Sequence, residues 1–130
     1  MQRSKADYIK YRLERSDKSL EAAKILAKNE IWNDSLSRLY YACFYAVLAL
    51  LLEEDIKPKT HKGVKVNFLN IFVKTGQISK EYGKFFTHMH DMRGETDYAD
   101  YVEFEPEIIL TLIPETEKFI EEIKSKISIS

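Results

Sequence analysis

The chain is poor in the residues that make cross-links and tight turns. It has one cysteine, Cys43, among 130 residues, so no disulfide can form within the chain. Four glycines and three prolines are few for an all-β domain with many turns, and no strand-like alternation of apolar and polar residues stands out. These absences favour helices, and the single cysteine fits a reducing compartment.

The chain also has almost no net charge and no long apolar run. Lys and Arg number 20 and Asp and Glu 21, which leaves a net charge of −1. Binding of nucleic acid through the field of the whole protein is thereby excluded, and such binding needs a local patch. The longest uncharged run, residues 39–52, is shorter than the roughly 18–20 residues that span a bilayer. Because the first dozen residues are too polar for a secretion signal, we expect a cytoplasmic protein without membrane contact.

What the sequence does contain is helical spacing of apolar residues. Hydrophobic residues make up 45% and charged residues 32% of the chain, as in soluble globular proteins, and the length suits one domain, residues 1–130. The predicted helices cover about residues 4–28, 32–54, 62–74, 80–93 and 105 onward. We expect an all-α fold, an up-and-down four-helix bundle with an additional short helix.

Several residues predict where these helices begin and end. Thr60 and Ser79 can cap the third and fourth helices, and Gly76 can end the third. Pro106 falls in the first turn of the last helix, where proline is tolerated. Pro114 lies inside that helix and should kink it or separate its first turn. The second helix is apolar on every side, which predicts the central position in the bundle.

Arg38 stands at the edge of the apolar run in the second helix, one turn before Tyr41. An arginine beside a core needs a charged partner, so one interpretation is an ion pair that only stabilises the bundle. The other is that Arg38 and Tyr41 face a cleft that binds an anion such as a phosphate. The neighbouring rings of this helix are expected in the core, with one tyrosine hydroxyl reaching a polar rim. They are Tyr40, Tyr41, Phe44 and Tyr45.

The three histidines do not form a metal-binding pattern. His88 and His90 are two residues apart and point in different directions on a helix, so we expect no metal and no cofactor. His61 follows the Thr60 cap, in a loop that can line a cleft. His90 lies one turn before Arg93, so the two share a helix face, either as an exposed pair or as part of a polar site.

The stretch "RGETDYADYVEF", residues 93–104, is acidic, rich in tyrosine and without helical period. One interpretation is a solvated acidic loop. The other is that Asp97 and Tyr98 fold back against Arg38 or Arg93, with Tyr98 and Tyr101 anchoring the loop by their rings. A carboxylate that orients an arginine is a recurring arrangement in phosphate sites.

Four segments in this order resemble the HEPN superfamily: "RLYYACFYAVLALL", "KPKTHKGV", "FVKTGQISKEYGK" and "MRGETDYADYVEF". More narrowly, the chain is similar to small stand-alone HEPN proteins of the UPF0332 type. The resemblance implies an all-α bundle, a homodimer, and a minimal nucleotidyltransferase as partner in a toxin–antitoxin type of system. It also implies metal-independent ribonuclease chemistry. There, an arginine followed after four to six residues by a histidine acts on RNA at the dimer seam.

This sequence departs from that signature at the histidine. The three eligible positions after Arg93 hold Tyr98, Ala99 and Asp100, so from the family's motif Arg93 alone carries over. Asp100 or Tyr98 would have to replace the histidine, and neither side chain normally titrates near neutrality. In partnered systems the nucleotidyltransferase modifies a tyrosine just beyond the motif, for which Tyr98 and Tyr101 are chemically eligible.

These observations define the candidate site and its alternatives. The catalytic candidates are Arg93, Asp97 and Tyr98, and the binding candidates are Arg38, Tyr41, His61, His90, Asp100 and Tyr101. One hypothesis is a toxin that binds RNA or a nucleotide and cleaves RNA. Another is a non-catalytic dimeric module that binds a nucleotide or the partner protein, and a third is a dimerisation domain. No DNA-specific motif is found.

Overall fold

The computed structural model describes residues 2–98, 100 and 102–128 and consists of five α-helices. They are α1 (Lys5–Lys28), α2 (Trp32–Glu53), α3 (His61–Phe68), α4 (Lys80–Tyr98) and α5 (Pro106–Ser125). No strand occurs among the described residues. The predicted all-α fold with four long helices and one short helix is therefore confirmed.

Helices α1 and α2 form a hairpin and pack closely along their length. Ser4 caps α1, since its side chain accepts a hydrogen bond from the Asp7 amide while the Asp7 carboxylate accepts one from the Ser4 amide. Two buried serines hold the pair together from inside. Ser16 donates to the carbonyl of Ala42 at 2.6 Å, and Ser35 donates to a carbonyl of α1 at 2.8 Å. Their small side chains let the two backbones approach.

Helix α2 occupies the centre of the bundle, as its apolar composition predicted, and contacts each of the other four helices. Its buried residues supply much of the core. By length and hydropathy α2 would also suffice to cross a membrane, but 67% of its most apolar window is buried inside the bundle. The single cysteine, Cys43, lies in this core, where burial raises the pKa of the thiol and makes it a poor nucleophile.

The third helix begins as predicted but ends differently. The Thr60 hydroxyl accepts a hydrogen bond from the Gly63 amide and caps α3. After eight residues the chain changes to a π-helical segment, Leu69–Val73, where an α-helix to residue 74 was expected. Helix α4 packs closely against this segment, since a Cβ atom added at Gly83 would lie 2.9 Å from Cγ1 of Val73. Gly76 follows with φ +85°, as its predicted role as a helix stop requires.

Helix α4 is five residues longer than predicted, so the first half of the 93–104 stretch is helical. The prediction ended the helix at Arg93 because the residues that follow show no helical period, and Gly94 also has low helix propensity. Contacts outweigh this preference: Met92 is buried, Arg93 forms an ion pair with Asp97 one turn later, and the Thr96 hydroxyl donates to the Arg93 carbonyl at 2.9 Å. The interpretation of the whole stretch as a loop was therefore wrong.

The end of that stretch is fastened to the start of α2. The Asn33 side chain donates to the carbonyl of Val102 at 2.6 Å and accepts a hydrogen bond from the amide of Phe104 at 3.3 Å. Helix α5 then begins with Pro106 in its first turn and runs unbroken through Pro114, so its first turn is not separated as we had considered. Leu110, whose carbonyl loses its helical partner to Pro114, is exposed, and water can hydrate that carbonyl.

Candidate functional site

Side chains from three helices meet where α3 begins, beside the middle of α2 and the second half of α4. We call this group the arginine–tyrosine cluster. Its members are Tyr40 and Tyr41 of α2, His61 of α3, and His90 and Arg93 of α4. The residues are distant in sequence, and the packing of α3 and α4 against α2 brings them together.

Arg93 lies at the centre of the cluster. Its guanidinium carbon is 5.5 Å from the ring centroid of Tyr40 and 5.7 Å from that of Tyr41, and its Nη2 donates to the Tyr41 hydroxyl at 3.3 Å. Its Nε is 2.7 Å from Oδ2 of Asp97. The side chain is 12% exposed, and cation–π attraction is stronger where water is excluded. The structure therefore holds this cation in one defined position.

Asp97 holds Arg93 at some cost to its own helix. It lies in the last turn of α4, where the helix dipole disfavours a carboxylate. The order of the pair, arginine first and acid four residues later, is also the less favourable one along a helix. Its side chain remains 34% exposed. The chemical consequence of this ion pair is an oriented guanidinium.

His61 is a neutral imidazole at neutral pH. Burial lowers its pKa below the ordinary value of 6.5, the positive charge of Arg93 and the neighbouring His90 lower it further, and Asp97 partly offsets them. Its Nδ1 is 2.8 Å from the hydroxyl of Tyr40, whose own pKa is raised by burial, so that hydroxyl stays protonated.

The tautomer of His61 decides what its outer nitrogen can do. If the Tyr40 hydroxyl donates to Nδ1, the proton of the imidazole sits on Nε2, which is then a hydrogen-bond donor. If Nδ1–H donates to the hydroxyl oxygen, Nε2 is an acceptor and can serve as a base. The ring itself stacks on Phe44 with centroids 4.5 Å apart, which fixes its plane in either case.

Two further predicted residues adjoin the cluster. His90 meets the Tyr40 ring edge-on at 6.1 Å, and its Nδ1 is 3.4 Å from the carboxylate of Asp91. The guanidinium of Arg38 lies 5.3 Å from the centroid of the Tyr41 ring. Within the described part of the chain Arg38 forms no ion pair with a carboxylate, so the stabilising ion pair that we considered is not observed. Two arginines thus approach the same tyrosine.

The structure brings together six of the nine candidate residues. They are Arg38, Tyr41, His61, His90, Arg93 and Asp97. Asp100 is exposed beyond the end of α4, away from these contacts. Tyr98 is the last residue of α4, and its side chain lies outside the described part, as does Tyr101. The predicted anchoring of the stretch by these two tyrosines therefore stays a prediction.

Sequence reasoning placed Tyr40 and Phe44 in the core and missed their contribution to the site. Tyr40 is fully buried, as predicted, yet its hydroxyl orients His61. Phe44 is half-buried and supplies the surface on which His61 stacks. A usable signal was present, because a tyrosine hydroxyl within an apolar run needs a polar partner from another element. The described residues contain no group of three His, Cys, Asp or Glu placed to hold a metal ion.

The fold and the site define a class of small all-α bundle in which an arginine is held among tyrosines and histidines. The sequence profile described as "HEPN domain" matches residues 9–126, nearly the whole chain. The chain therefore belongs to the HEPN domain family, as its motifs predicted.

Relatives of similar length support this assignment. A "UPF0332 protein" of Thermotoga maritima is 41% identical over 123 residues, which cover 95% of this chain and 93% of the relative. "Putative toxin MJ0605" of Methanocaldococcus jannaschii is 38% identical over 112 residues, which cover 86% of this chain and 83% of the relative. "Putative toxin MJ0142" of the same organism is 37% identical over 95 residues, which cover 73% of this chain and 65% of the relative.

Proposed function

We propose that this HEPN protein is the toxin component of a system that pairs a HEPN protein with a minimal nucleotidyltransferase. Its arginine–tyrosine cluster binds a phosphate of RNA or of a nucleotide. The observation that carries this proposal is the pair of guanidinium groups, Arg38 and Arg93, at one tyrosine ring. Planar guanidinium groups bind phosphate with paired hydrogen bonds, and an arginine already oriented loses little entropy on binding. Two relatives whose names contain "toxin" support the biological role.

The charge and shape of the cluster suit a nucleotide better than a bare anion. The two arginines outnumber the one carboxylate that pairs with them, Asp97, in a chain whose net charge is −1. Tyrosine and histidine rings beside them offer surfaces for a base. This arrangement favours the binding hypothesis over a purely structural dimerisation domain, which would need no oriented arginine.

Thermal denaturation with titrated nucleotides and short RNA tests the proposal. A ligand at about one hundred times its dissociation constant should raise the free energy of unfolding by about 2.7 kcal/mol. Arg93→Lys, which keeps the charge but loses the planar fork, should reduce this rise. Arg38→Gln provides a second variant at a half-buried position, in case the Arg93 variant folds poorly. No rise with any nucleotide or RNA in the wild-type protein would contradict the proposal.

A second candidate function, metal-independent RNA cleavage, is supported by the position of two histidines. The arginine–histidine spacing is missing from the sequence, but His61 and His90 approach Arg93 in space from another helix and from the preceding turn. Phosphodiester cleavage needs a proton acceptor and a charge stabiliser, and a neutral His61 beside Arg93 supplies both types of group. RNA should then be cleaved in the presence of a chelator by the wild type, and neither by Arg93→Ala nor by His61→Gln. Equal cleavage by all three proteins would indicate a contaminant.

The homodimer, the nucleotidyltransferase partner and the cytoplasmic location belong to the same proposal. Analytical ultracentrifugation tests the dimer, and a monomer at all concentrations would contradict it. An adjacent reading frame for a minimal nucleotidyltransferase would support the partnership. Incubation with that enzyme and a nucleoside triphosphate, followed by mass spectrometry, would show whether Tyr98 or Tyr101 gains a nucleotidyl group.

A further inference from the structure

A second surface rich in arginine and tyrosine lies along the first half of α1. A groove of about 860 Å³ runs between this helix and α2, and an adjoining groove of about 420 Å³ shares Arg3, Tyr8 and Arg12 with it. We call the two together the α1 groove. Its lining includes Arg3, Tyr8, Lys10, Tyr11, Arg12 and Tyr45. None of them belongs to the arginine–tyrosine cluster.

The tyrosines of the α1 groove are unusually accessible. Tyr8 is 47% exposed and Tyr11 is 57% exposed, and as neighbours three residues apart they share one side of α1. Across the groove, the guanidinium carbon of Arg15 lies 5.2 Å from the centroid of the Tyr45 ring. Exposed aromatic rings next to arginine are the platforms on which unpaired bases stack, and such stacking tolerates any base.

The charge of the groove is opposite to that of the rest of the chain. Its lining contains five cationic side chains and three carboxylates. Asp7 is engaged in the cap of α1 and Asp55 in an ion pair with Lys5, which leaves four cations and one carboxylate. Because the whole chain has a net charge of −1, the remaining surface is net acidic. The groove is therefore a local basic patch of the kind that binding to a polyanion requires in a chain without net positive charge.

The α1 groove is continuous with the arginine–tyrosine cluster. Tyr41 of the cluster and Tyr45 of the groove lie one turn apart on α2, with ring centroids 6.2 Å apart. Arginines accompany both rings: Arg38 and Arg93 at Tyr41, and Arg15 at Tyr45. An extended strand following α2 would meet cations and aromatic rings along its whole path.

We propose that the α1 groove binds single-stranded RNA without sequence preference. Bases stack on Tyr8 and Tyr11, and phosphates contact Arg3 and Lys10. The strand continues along α2 towards Arg93, so the choice of RNA as the ligand rests on the function proposed above. A second copy of the chain is a poorer occupant, because a symmetric contact through this surface would bring like charges together.

Fluorescence anisotropy with a labelled oligouridine of about 12 nucleotides tests the stacking. The control replaces the same two tyrosines, Tyr8 and Tyr11, by residues that keep the ring. Tyr8→Ala combined with Tyr11→Ala should weaken binding at least tenfold, whereas Tyr8→Phe combined with Tyr11→Phe keeps the rings and should stay within about twofold of the wild type. Both positions are exposed, so folding should be unaffected, which circular dichroism can check. Equal affinities of the alanine and wild-type proteins, or equal losses in both double variants, would overturn the proposal.

The salt dependence of binding tests the phosphate contacts. Combining Arg3→Gln and Lys10→Gln should reduce the slope of log affinity against log salt concentration by about 1.4, since each contact with a single strand contributes about 0.7. The matched control combines Lys118→Gln and Lys126→Gln, which remove two exposed cations elsewhere. An equal reduction in the control would show that general charge, and not the groove, accounts for binding.

Arg93→Lys separates this inference from the proposed function. In one outcome, Arg93→Lys leaves the RNA affinity unchanged while the alanine pair, Tyr8→Ala with Tyr11→Ala, weakens binding. RNA binding by the α1 groove is then supported, and the ligand assigned to the arginine–tyrosine cluster is wrong. If Arg93→Lys weakens binding and the alanine pair does not, the groove is overturned and the cluster retains its role. A shift of the monomer–dimer equilibrium by the alanine pair, with RNA affinity unchanged, would assign the surface to a homodimer interface and also overturn the proposal.

Discussion

The hydrogen bond between Tyr40 and His61 allows a quantitative test of how the cluster is built. The hydroxyl of a fully buried tyrosine meets the Nδ1 of a half-buried histidine at 2.8 Å. Tyr40→Phe removes the hydroxyl and leaves Nδ1 partly accessible to water, so it should lower the free energy of unfolding by about 1 kcal/mol. His61→Phe preserves the ring that stacks on Phe44 but leaves the hydroxyl buried without its acceptor, which costs about 1–3 kcal/mol.

The double variant makes the prediction sharp. With both partners replaced by phenylalanine, no polar group is left unsatisfied, and the stability should return to within about 0.5 kcal/mol of the wild type. The coupling energy that these values imply is about 2–4 kcal/mol, at the upper end of the range for residues in direct contact. Urea denaturation followed by circular dichroism measures all four proteins, provided that their m-values agree.

Tyr82→Phe is the matched control for this cycle. Tyr82 also packs its ring in the bundle, against Phe119, but borders a shallow groove at the surface. Removal of the Tyr82 hydroxyl should change the free energy of unfolding by less than about 0.5 kcal/mol. Additive losses in the Tyr40 and His61 double variant would refute the reasoning, because the hydrogen bond would then contribute no coupling.

Three further predictions concern pH, packing and a helix end. Because the pKa of His61 is lower in the folded protein than its ordinary value of 6.5, the unfolded chain binds the proton more readily, and stability present above about pH 6.5 is lost as the pH falls. Between about pH 7.5 and 5, the free energy of unfolding should fall less in His61→Gln than in the wild type. His88→Gln, at an exposed site, is the control and should behave like the wild type. Parallel curves for all three proteins would contradict this prediction. Gly83→Ala should cost about 1–3 kcal/mol, since the new methyl would lie 2.9 Å from the stiff side chain of Val73, and an unchanged melting temperature would show that the π-helical segment yields. Glu30 has φ 60° after the end of α1, so Glu30→Gly should add about 0.5–1 kcal/mol to the free energy of unfolding, and a loss in urea denaturation would contradict that expectation.

Much of the fold could be predicted because helix-forming patterns are local. The spacing of apolar residues, the capping side chain of Thr60 and the proline at the start of α5 act within one or two turns. Two errors arose where the spacing of apolar residues gives no signal. The additional residues of α4 are held by the ion pair between Arg93 and Asp97 and by the burial of Met92, and the π-helical segment was not predicted.

The candidate site shows the same division. Motif and composition singled out Arg93, Asp97, Arg38 and the two histidines as chemically suitable, each on its own segment. The approach of His61 to Arg93 required α3 to pack against α2 in one register, and the burial that keeps His61 neutral comes from that packing. The importance of the Tyr40 hydroxyl emerged only with its partner in place.

By itself, the sequence determined the all-α class, the central place of α2 and the family, because these follow from local periodicity and from the order of motifs along the chain. The tertiary structure alone decided which polar side chains lie together and which charges are removed from water. Those properties depend on distances between segments that are far apart in sequence. A pKa responds to burial and to neighbouring charges at such distances, and so does the orientation of an arginine.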